Sequence, residues 1–169
     1  VYWQRGDAFR YLHRYEEAIA DYDSHLKSTS ESPGSVLNSR GVAKRDSGDI
    51  KGALADYMLA AGADREWSGS LRNRADLLLQ LGRLEEALHD CNLALNREPN
   101  KVGSLNLKAE ILLKMDNAEQ ALSITEEAIK IDEKNVKAYK LAGLAEYRST
   151  ETGIGAANRE SEEILKGLA

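Results

Sequence analysis

The chain has 169 residues, of which 30% are charged, and its formal net charge at pH 7 is −5. No basic stripe dominates, so the composition argues against nucleic acid and anionic membranes as partners. No apolar run approaches the roughly 18 residues that a transmembrane helix needs, and the single cysteine excludes an internal disulfide framework. These features favour a cytoplasmic protein. The chain begins at Val1 within a helical pattern, so we expect a fragment or a processed chain.

The composition favours helices, because only two prolines occur and β-branched residues are sparse. Apolar periodicity, together with the positions of turn residues, defines the segments. In chain order the sequence predicts helices near 1–13, 15–28, 35–47, 50–62, 69–81, 84–97, 102–115, 118–131, 136–148 and 155–167.

Polar and glycine residues mark the predicted helix ends. Gly48 suits a left-handed C-terminal cap, and Asp49 can cap the helix that follows. Ser68 is a candidate cap for the helix at 69–81. Asp116 with Glu119 resembles a capping box for the helix at 118–131, with aspartate in place of serine or threonine.

Small residues recur along the chain at a fixed period. Ala75, Ala87 and Ala94 are spaced by twelve and then seven residues, and other stretches repeat this spacing. The first members of the series lie 35, 34, 34 and 34 residues apart, at positions 6, 41, 75, 109 and 143. Such a period is typical of stacked repeats, because one helical hairpin cannot bury its apolar stripe alone. We therefore predict one domain of about five repeats, at 1–33, 34–67, 68–101, 102–135 and 136–169.

The third repeat shows the full pattern of large and small residues: Leu71, Arg74, Ala75, Leu78, Ala87, Cys91 and Pro99. This pattern resembles the tetratricopeptide repeat. The resemblance covers essentially the whole chain, although Lys44 and Thr125 replace aromatic residues and the fifth repeat is degenerate after Gly143. It implies an all-α fold, a right-handed α-solenoid of antiparallel helix pairs.

Arginine and aspartate vary together between repeats. Three repeats carry an arginine and, sixteen residues later, an aspartate: Arg5 and Asp21, Arg40 and Asp56, Arg74 and Asp90. The fourth repeat has Lys108 and Ile124 instead. We interpret the pairs as structural ion pairs between the two helices of a repeat, since arginine suits bidentate, partly buried pairing. The alternative is a basic column that binds an acidic ligand.

Few residues suggest catalytic or metal chemistry. His13, His25 and His89 lie in different repeats without metal-ligand spacing. Cys91 takes a core position, where cysteine acts as a small hydrophobe. We predict no catalytic residue, metal or cofactor, and therefore no enzymatic activity within this chain.

The resemblance also implies a binding surface. In that family the first helix of each repeat lines a concave groove that binds extended peptides or a partner helix. The repeat phase places these residues in the groove: Trp3, Asp7, Asn38, Arg72, Asn73, Asp76, Asn106, Glu110 and Lys140. Asparagine can bond to a peptide backbone, and Arg72 and Lys140 can meet carboxylates. Because Asp76 and Glu110 would repel a strongly acidic ligand, we expect a ligand of mixed charge. Gly69 and Gly103 are expected to leave backbone accessible near two helix starts.

These features lead to one main hypothesis of function, a non-enzymatic scaffold that binds a protein or peptide. The clamp with which one subfamily holds the carboxylate tail of heat-shock chaperones is not met, since too few basic and amide groups coincide. The alternative is the substrate-recognition arm of a larger enzyme whose catalytic domain lies outside this chain. A third possibility is self-association through the terminal repeats. The last helix, 155–167, is interpreted as a polar cap, or else as a surface for a sixth repeat.

Overall fold

The computed structural model describes residues 1–29 and 34–150, and this part of the chain contains nine helices and no strand. Residues 136–150 form the last of them, α9, which reaches the end of the described residues. The other eight are α1 Tyr2–Tyr11, α2 Tyr15–Ser28, α3 Gly34–Ser47, α4 Ile50–Ala63, α5 Gly69–Gln80, α6 Leu84–Arg97, α7 Val102–Lys114 and α8 Ala118–Ile131. Their ends agree with the predicted ones within about two residues. The predicted helix at 155–167 lies outside the described residues.

The chain forms two compact units, Val1–Pro99 and Asn100–Ala169. In the first unit the helices pack in consecutive pairs, α1 with α2, α3 with α4 and α5 with α6. Each pair also packs against the next, through α2 with α3 and α4 with α5. In the second unit α7 packs against α8. The helical hairpin is therefore the building block, as the repeat period predicts.

Turn residues end the helices where the sequence predicts a break between α3 and α4. Gly48 has a φ of 92°, in the left-handed region that suits glycine. The Asp49 carboxylate accepts a hydrogen bond of 2.9 Å from the backbone N–H of Gly52 and so caps α4. Both cap predictions at this turn are confirmed.

Two other cap predictions are wrong. Ser68 lies at the N-terminal end of α5, but its hydroxyl donates to the carboxylate of Glu98 and does not cap the helix. Asp116 has a φ of 59° and belongs to the turn after α7. The cap of α8 is therefore one residue later, at Asn117, whose side chain accepts from the N–H of Gln120 at 3.3 Å.

The core of each hairpin depends on matched residue sizes. A Cβ added at Gly6 would lie 2.8 Å from the ring of Tyr22, and one at Gly41 would lie 2.8 Å from the ring of Tyr57. Where the second helix carries a smaller buried residue at the same repeat position, the first helix has alanine: Ala75 with Cys91, and Ala109 with Thr125. A larger residue on the second helix is therefore matched by a smaller one at the facing position of the first helix.

Arg97, in the last turn of α6, contacts the end of the preceding hairpin. Its Nη1 donates to the carbonyl oxygens of Asp64 and Trp67, each at 3.0 Å. Its Nη2 donates to the carbonyl oxygen of Ala61, also at 3.0 Å. One side chain thus satisfies backbone acceptors that the end of α4 and the following loop leave open.

Candidate functional site

The three arginine–aspartate pairs form within their own hairpins. Arg40 donates to Asp56 through Nε at 2.8 Å and through Nη2 at 2.6 Å. Arg74 donates in the same way to Asp90, at 2.5 and 2.6 Å. Arg5 does so to Asp21, with both distances 2.6 Å. The structural interpretation is confirmed, and these guanidinium groups are occupied by their own carboxylates.

A wider charge network surrounds Asp56. The Nη1 of Arg40 donates to the Oδ1 of Asp23 of α2 at 2.6 Å, and the Nζ of Lys44 lies 2.9 Å from the Oδ2 of Asp56. The hydrogen bond to Asp56, followed by the one to Asp23, raises the pKa of Arg40 against the opposing effect of burial. In the repeat pattern Lys44 is only a departure from an aromatic position, but its place one turn after Arg40 indicates that the two cations can share a partner.

The predicted groove residues of the first repeat have partners in their own hairpin. Asp7 accepts a hydrogen bond of 2.7 Å from the hydroxyl of Tyr22. Trp3 is half-buried and its ring lies 6.0 Å from that of His25. The Nε1 of Trp3 is buried and has no hydrogen-bond partner among the described residues. Asp7 therefore contributes to packing as well as to the surface.

The groove residues of the second and third repeats lie on adjacent first helices. Asn73 of α5 donates through Nδ2 to the Oδ1 of Asn38 of α3 at 2.9 Å. Asp76 accepts from Gln80 at 2.8 Å. Arg72 is half-buried, and its side chain has no hydrogen bond or ion pair with a described residue. The amide pair leaves the NH2 group of Asn38 and the side-chain oxygen of Asn73 for further hydrogen bonds.

Two predicted groove features are wrong. Asn106 is buried, because it exchanges hydrogen bonds of 3.2 and 3.3 Å with Asn135. The same Asn135 oxygen accepts from the N–H of Ala138 at 3.1 Å, at the start of α9. Gly69 is also buried, and a Cβ there would meet the ring of Trp67 at 2.1 Å. Gly103, in contrast, is exposed.

A cleft of about 360 Å³ lies between the first helices α7 and α9 of the second unit. Leu113 is buried at its floor, whereas Leu144 is 42% exposed. The residues that line the cleft are Glu110, Leu113, Lys114, Lys137, Lys140, Leu141, Leu144 and Arg148. Two predicted groove residues, Glu110 and Lys140, are therefore brought together here. Leu144 has the repeat position of Glu110, whereas Leu113, Lys114 and Arg148 were not predicted to line the groove, although Lys114 lies one turn after Glu110.

The cleft has an uneven distribution of charge. The ammonium of Lys137 lies 2.8 Å from the carboxylate of Glu110. The Nη1 of Arg148 donates to the carbonyl oxygen of Leu113 at 2.5 Å. Lys114 and Lys140 are exposed and have no hydrogen bond or ion pair with a described residue. The rim thus presents two uncompensated cations beside an apolar floor.

Two buried tyrosines at the same repeat position differ in their hydroxyl groups. Tyr22 donates to Asp7, but the Tyr57 hydroxyl has no partner among the described residues. The position equivalent to Asp7 is Val42 in the second repeat. Burial raises the pKa of Tyr57 to about 12. The second hairpin therefore retains a polar atom that costs stability.

Replacing Tyr57 by phenylalanine is expected to leave the free energy of unfolding unchanged or to raise it, because the substitution removes an unpaired buried hydroxyl. Tyr22→Phe is the matched control and should lower that free energy by about 1 kcal/mol, since it removes a made hydrogen bond. Urea unfolding of both variants measures the difference. Equal losses in the two variants would show that the Tyr57 hydroxyl has a stabilising partner.

The described residues contain no group of three or more histidine, cysteine, aspartate or glutamate side chains placed to hold a metal ion. Cys91 is buried, and the His13 ring hydrogen-bonds to the hydroxyl of Tyr15 at 2.7 Å. Across residues 1–29 and 34–150, no helix has both the length and the apolar character to cross a membrane.

Comparison with known proteins agrees with this hairpin architecture. A family model described as tetratricopeptide repeat matches residues 70–101 and 102–135, close to the third and fourth predicted repeats. Residues 70–135 thus comprise two tetratricopeptide repeats. No curated protein sequence matches it.

Solved structures of tetratricopeptide repeat proteins have the same fold. One from Parabacteroides merdae has a TM-score of 0.81 and 21% identity, over 89% of this chain and 59% of that chain, so the match spans less than two thirds of that protein. MamA has a TM-score of 0.77 and 18% identity, over 88% of this chain and 81% of that chain. The first repeat domain of Spaghetti (RPAP3), bound to the HSP90 peptide SRMEEVD, has a TM-score of 0.66 and 20% identity, over 69% of this chain and 93% of that chain. The fold is thus an all-α tetratricopeptide repeat solenoid.

Proposed function

We propose that this tetratricopeptide repeat protein is a non-catalytic interaction scaffold that binds an extended polypeptide on the first helices of its repeats. The cleft between α7 and α9 is the observation that carries the proposal. It combines an apolar floor with two cations, Lys114 and Lys140, that have no partner among the described residues. Binding clefts for small ligands and peptides join these two properties, apolar surface for affinity and a few polar groups for orientation.

The first unit offers a second contact surface of a different kind. Asn38 and Asn73 are held side by side by their own hydrogen bond. Their remaining donor and acceptor match the carbonyl and N–H groups of a peptide backbone. Arg72, which lies next to Asn73 in the sequence, adds a charge without an internal partner. This surface would recognise the backbone of a bound peptide, whereas the cleft of the second unit would recognise the side chains of a peptide.

A relative supports the proposal at the level of the fold. The RPAP3 domain with the same fold is bound to a peptide of HSP90. Solenoids of this type expose long surfaces on which partners bind. We propose a protein or peptide as the partner of this chain on these grounds, with the five predicted repeats as the scaffold.

Charge reversal on the first helices tests the proposal. The probe is a phage-displayed library of random twelve-residue peptides, selected on the purified chain. We expect the Arg72→Glu variant and the Lys140→Glu variant each to bind the selected peptides about tenfold or more weakly than the wild type does. Helicity and melting temperature should be nearly unchanged, because Lys140 is exposed and the half-buried Arg72 has no ion pair with a described residue that the substitution would break.

His89→Ala is the control on the other side of a hairpin. His89 is exposed on α6, the second helix of its repeat, so its replacement should leave peptide binding intact. Selected peptides that bind the wild type, Arg72→Glu and Lys140→Glu equally well would remove the first helices as the binding surface.

A further inference from the structure

The cleft of the second unit is more basic than its surroundings. Residues 100–150 carry as many acidic as basic side chains, yet the cleft is lined by four cations and one carboxylate. Glutamates lie instead on the second helix α8, where Glu119, Glu126 and Glu127 are exposed. The excess of positive charge therefore belongs to the cleft and does not arise from an excess of basic residues in 100–150.

The one carboxylate that lines the cleft is neutralised by a lysine that also lines it. From the sequence, Glu110 is expected to repel a strongly acidic ligand. In the structure its carboxylate lies 2.8 Å from the ammonium of Lys137, so the two charges compensate each other. This leaves Lys114 on α7 and Lys140 on α9, one on each wall of the cleft, to face a ligand. The expectation of a mixed-charge ligand thus does not apply to this cleft.

The floor between these two lysines is apolar. Leu113 is buried, Leu141 is half-buried and Leu144 is 42% exposed. An apolar side chain placed there would remove part of Leu144 from water, which favours binding. Asn106, the amide that could have met a peptide backbone, is paired with Asn135 and buried. Recognition in this cleft therefore depends on ligand side chains.

We infer that the cleft between α7 and α9 selects an acidic segment of a partner protein, built around one large apolar side chain. That side chain contacts Leu113, Leu141 and Leu144. Side-chain carboxylates before and after it meet Lys114 and Lys140, in charge-assisted hydrogen bonds. The inference rests on the proposed function and names the ligand chemistry of that site.

A peptide array tests the two parts of the inference separately. The parent peptide has nine residues, with a central leucine, two glutamates on each side, an acetylated N-terminus and an amidated C-terminus. One series replaces the glutamates by glutamine and another replaces the leucine by serine. We expect each replacement to weaken binding to the full chain about tenfold or more. The affinity of the parent peptide should also fall as salt is added, because screening weakens the charge contacts.

Variants of the protein locate the binding site. Binding of the parent peptide should be weakened by each of three substitutions, Lys114→Glu, Lys140→Glu and Leu144→Asp. The matched control is Lys130→Glu, an identical charge reversal at an exposed residue of α8, which should leave affinity unchanged. Equal loss in Lys130→Glu and Lys140→Glu would overturn the inference, because net charge alone would then explain binding.

The outcomes separate this inference from the proposed function. If library peptides bind in a manner that depends on Lys140 or Arg72 while glutamate and glutamine peptides bind equally, the scaffold stands and the acidic preference fails. If binding is recovered only with a free C-terminal carboxylate, the inference of side-chain recognition is overturned. If no peptide of any composition binds, both proposals fail.

Discussion

Replacing Asp90 by alanine is expected to lower the free energy of unfolding by about 3 kcal/mol. Asp90 is only 1% exposed and accepts two hydrogen bonds from Arg74. This hydrogen bond raises the pKa of Arg74, and when it is lost Arg74 still stays charged, because arginine remains protonated in proteins without a carboxylate partner. The loss arises mainly because a largely buried guanidinium is left without a compensating carboxylate.

The double variant Arg74→Met with Asp90→Ala is the decisive control. Both variants leave the same space at position 90, so their difference reports the unpaired charge. We expect the double variant to be more stable than the single one, because a buried ion pair replaced as a whole costs little. Urea denaturation followed by circular dichroism measures both. A double variant that is less stable than Asp90→Ala would show that the pair itself is a net source of stability.

Replacing Gly41 by alanine is expected to lower the free energy of unfolding by about 1–3 kcal/mol. The added Cβ would lie 2.8 Å from Cε1 and 2.9 Å from Cδ1 of Tyr57, whose ring is fully buried. Alanine favours a helix over glycine by about 1 kcal/mol, but the steric conflict with a confined ring outweighs that gain. The same substitution at Gly62 of α4 is the control, because nothing lies within 4 Å of its added Cβ. Gly62→Ala should therefore raise the free energy of unfolding by up to about 1 kcal/mol.

The sign of the Gly41 effect should reverse in a Tyr57→Cys background. That background reproduces the pairing of Ala75 with Cys91 found in the third repeat. Tyr57→Cys alone creates a cavity and is destabilising, so the comparison is made within that background. There, Gly41→Ala should increase stability, through helix propensity and partial filling of the space. A loss of the same size in both backgrounds would show that the Tyr57 ring does not cause the conflict. Thermal and urea unfolding of the four proteins complete the cycle.

The fold could be predicted from the sequence because its determinants are repeated. Each hairpin needs small residues where its two helices approach each other, so the same pattern of small residues recurs in several repeats. The arginine–aspartate pairs were predictable for the same reason, since Arg5, Arg40 and Arg74 each occur with their aspartate. Gly48 and Asp49 mark a helix boundary through local backbone conformation alone. Such features depend on residues within one repeat.

The candidate site was harder to predict because its determinants occur once. Asn106 occupies a groove position in the repeat pattern, but its partner Asn135 lies 29 residues later and has no equivalent pair in the other repeats that would reveal the contact. Glu110 likewise loses its repulsive effect only because Lys137 approaches it from α9. These contacts join different helices at positions that are not repeated. Repeat phase could place the side chains on a face but could not show which of them are already paired.

The contacts of Arg97 affect how the first unit loses its structure. A stack of repeats can unfold from its ends, one hairpin at a time, when the contacts between neighbours are weak. Here a guanidinium on α6 completes the hydrogen bonding at the end of α4, through the carbonyl oxygens of Ala61, Asp64 and Trp67. Separation of the third hairpin therefore breaks these three hydrogen bonds, whose net contribution to stability is lost in the half-unfolded state. We therefore expect the second and third hairpins to unfold together, although they are separate repeats in the sequence.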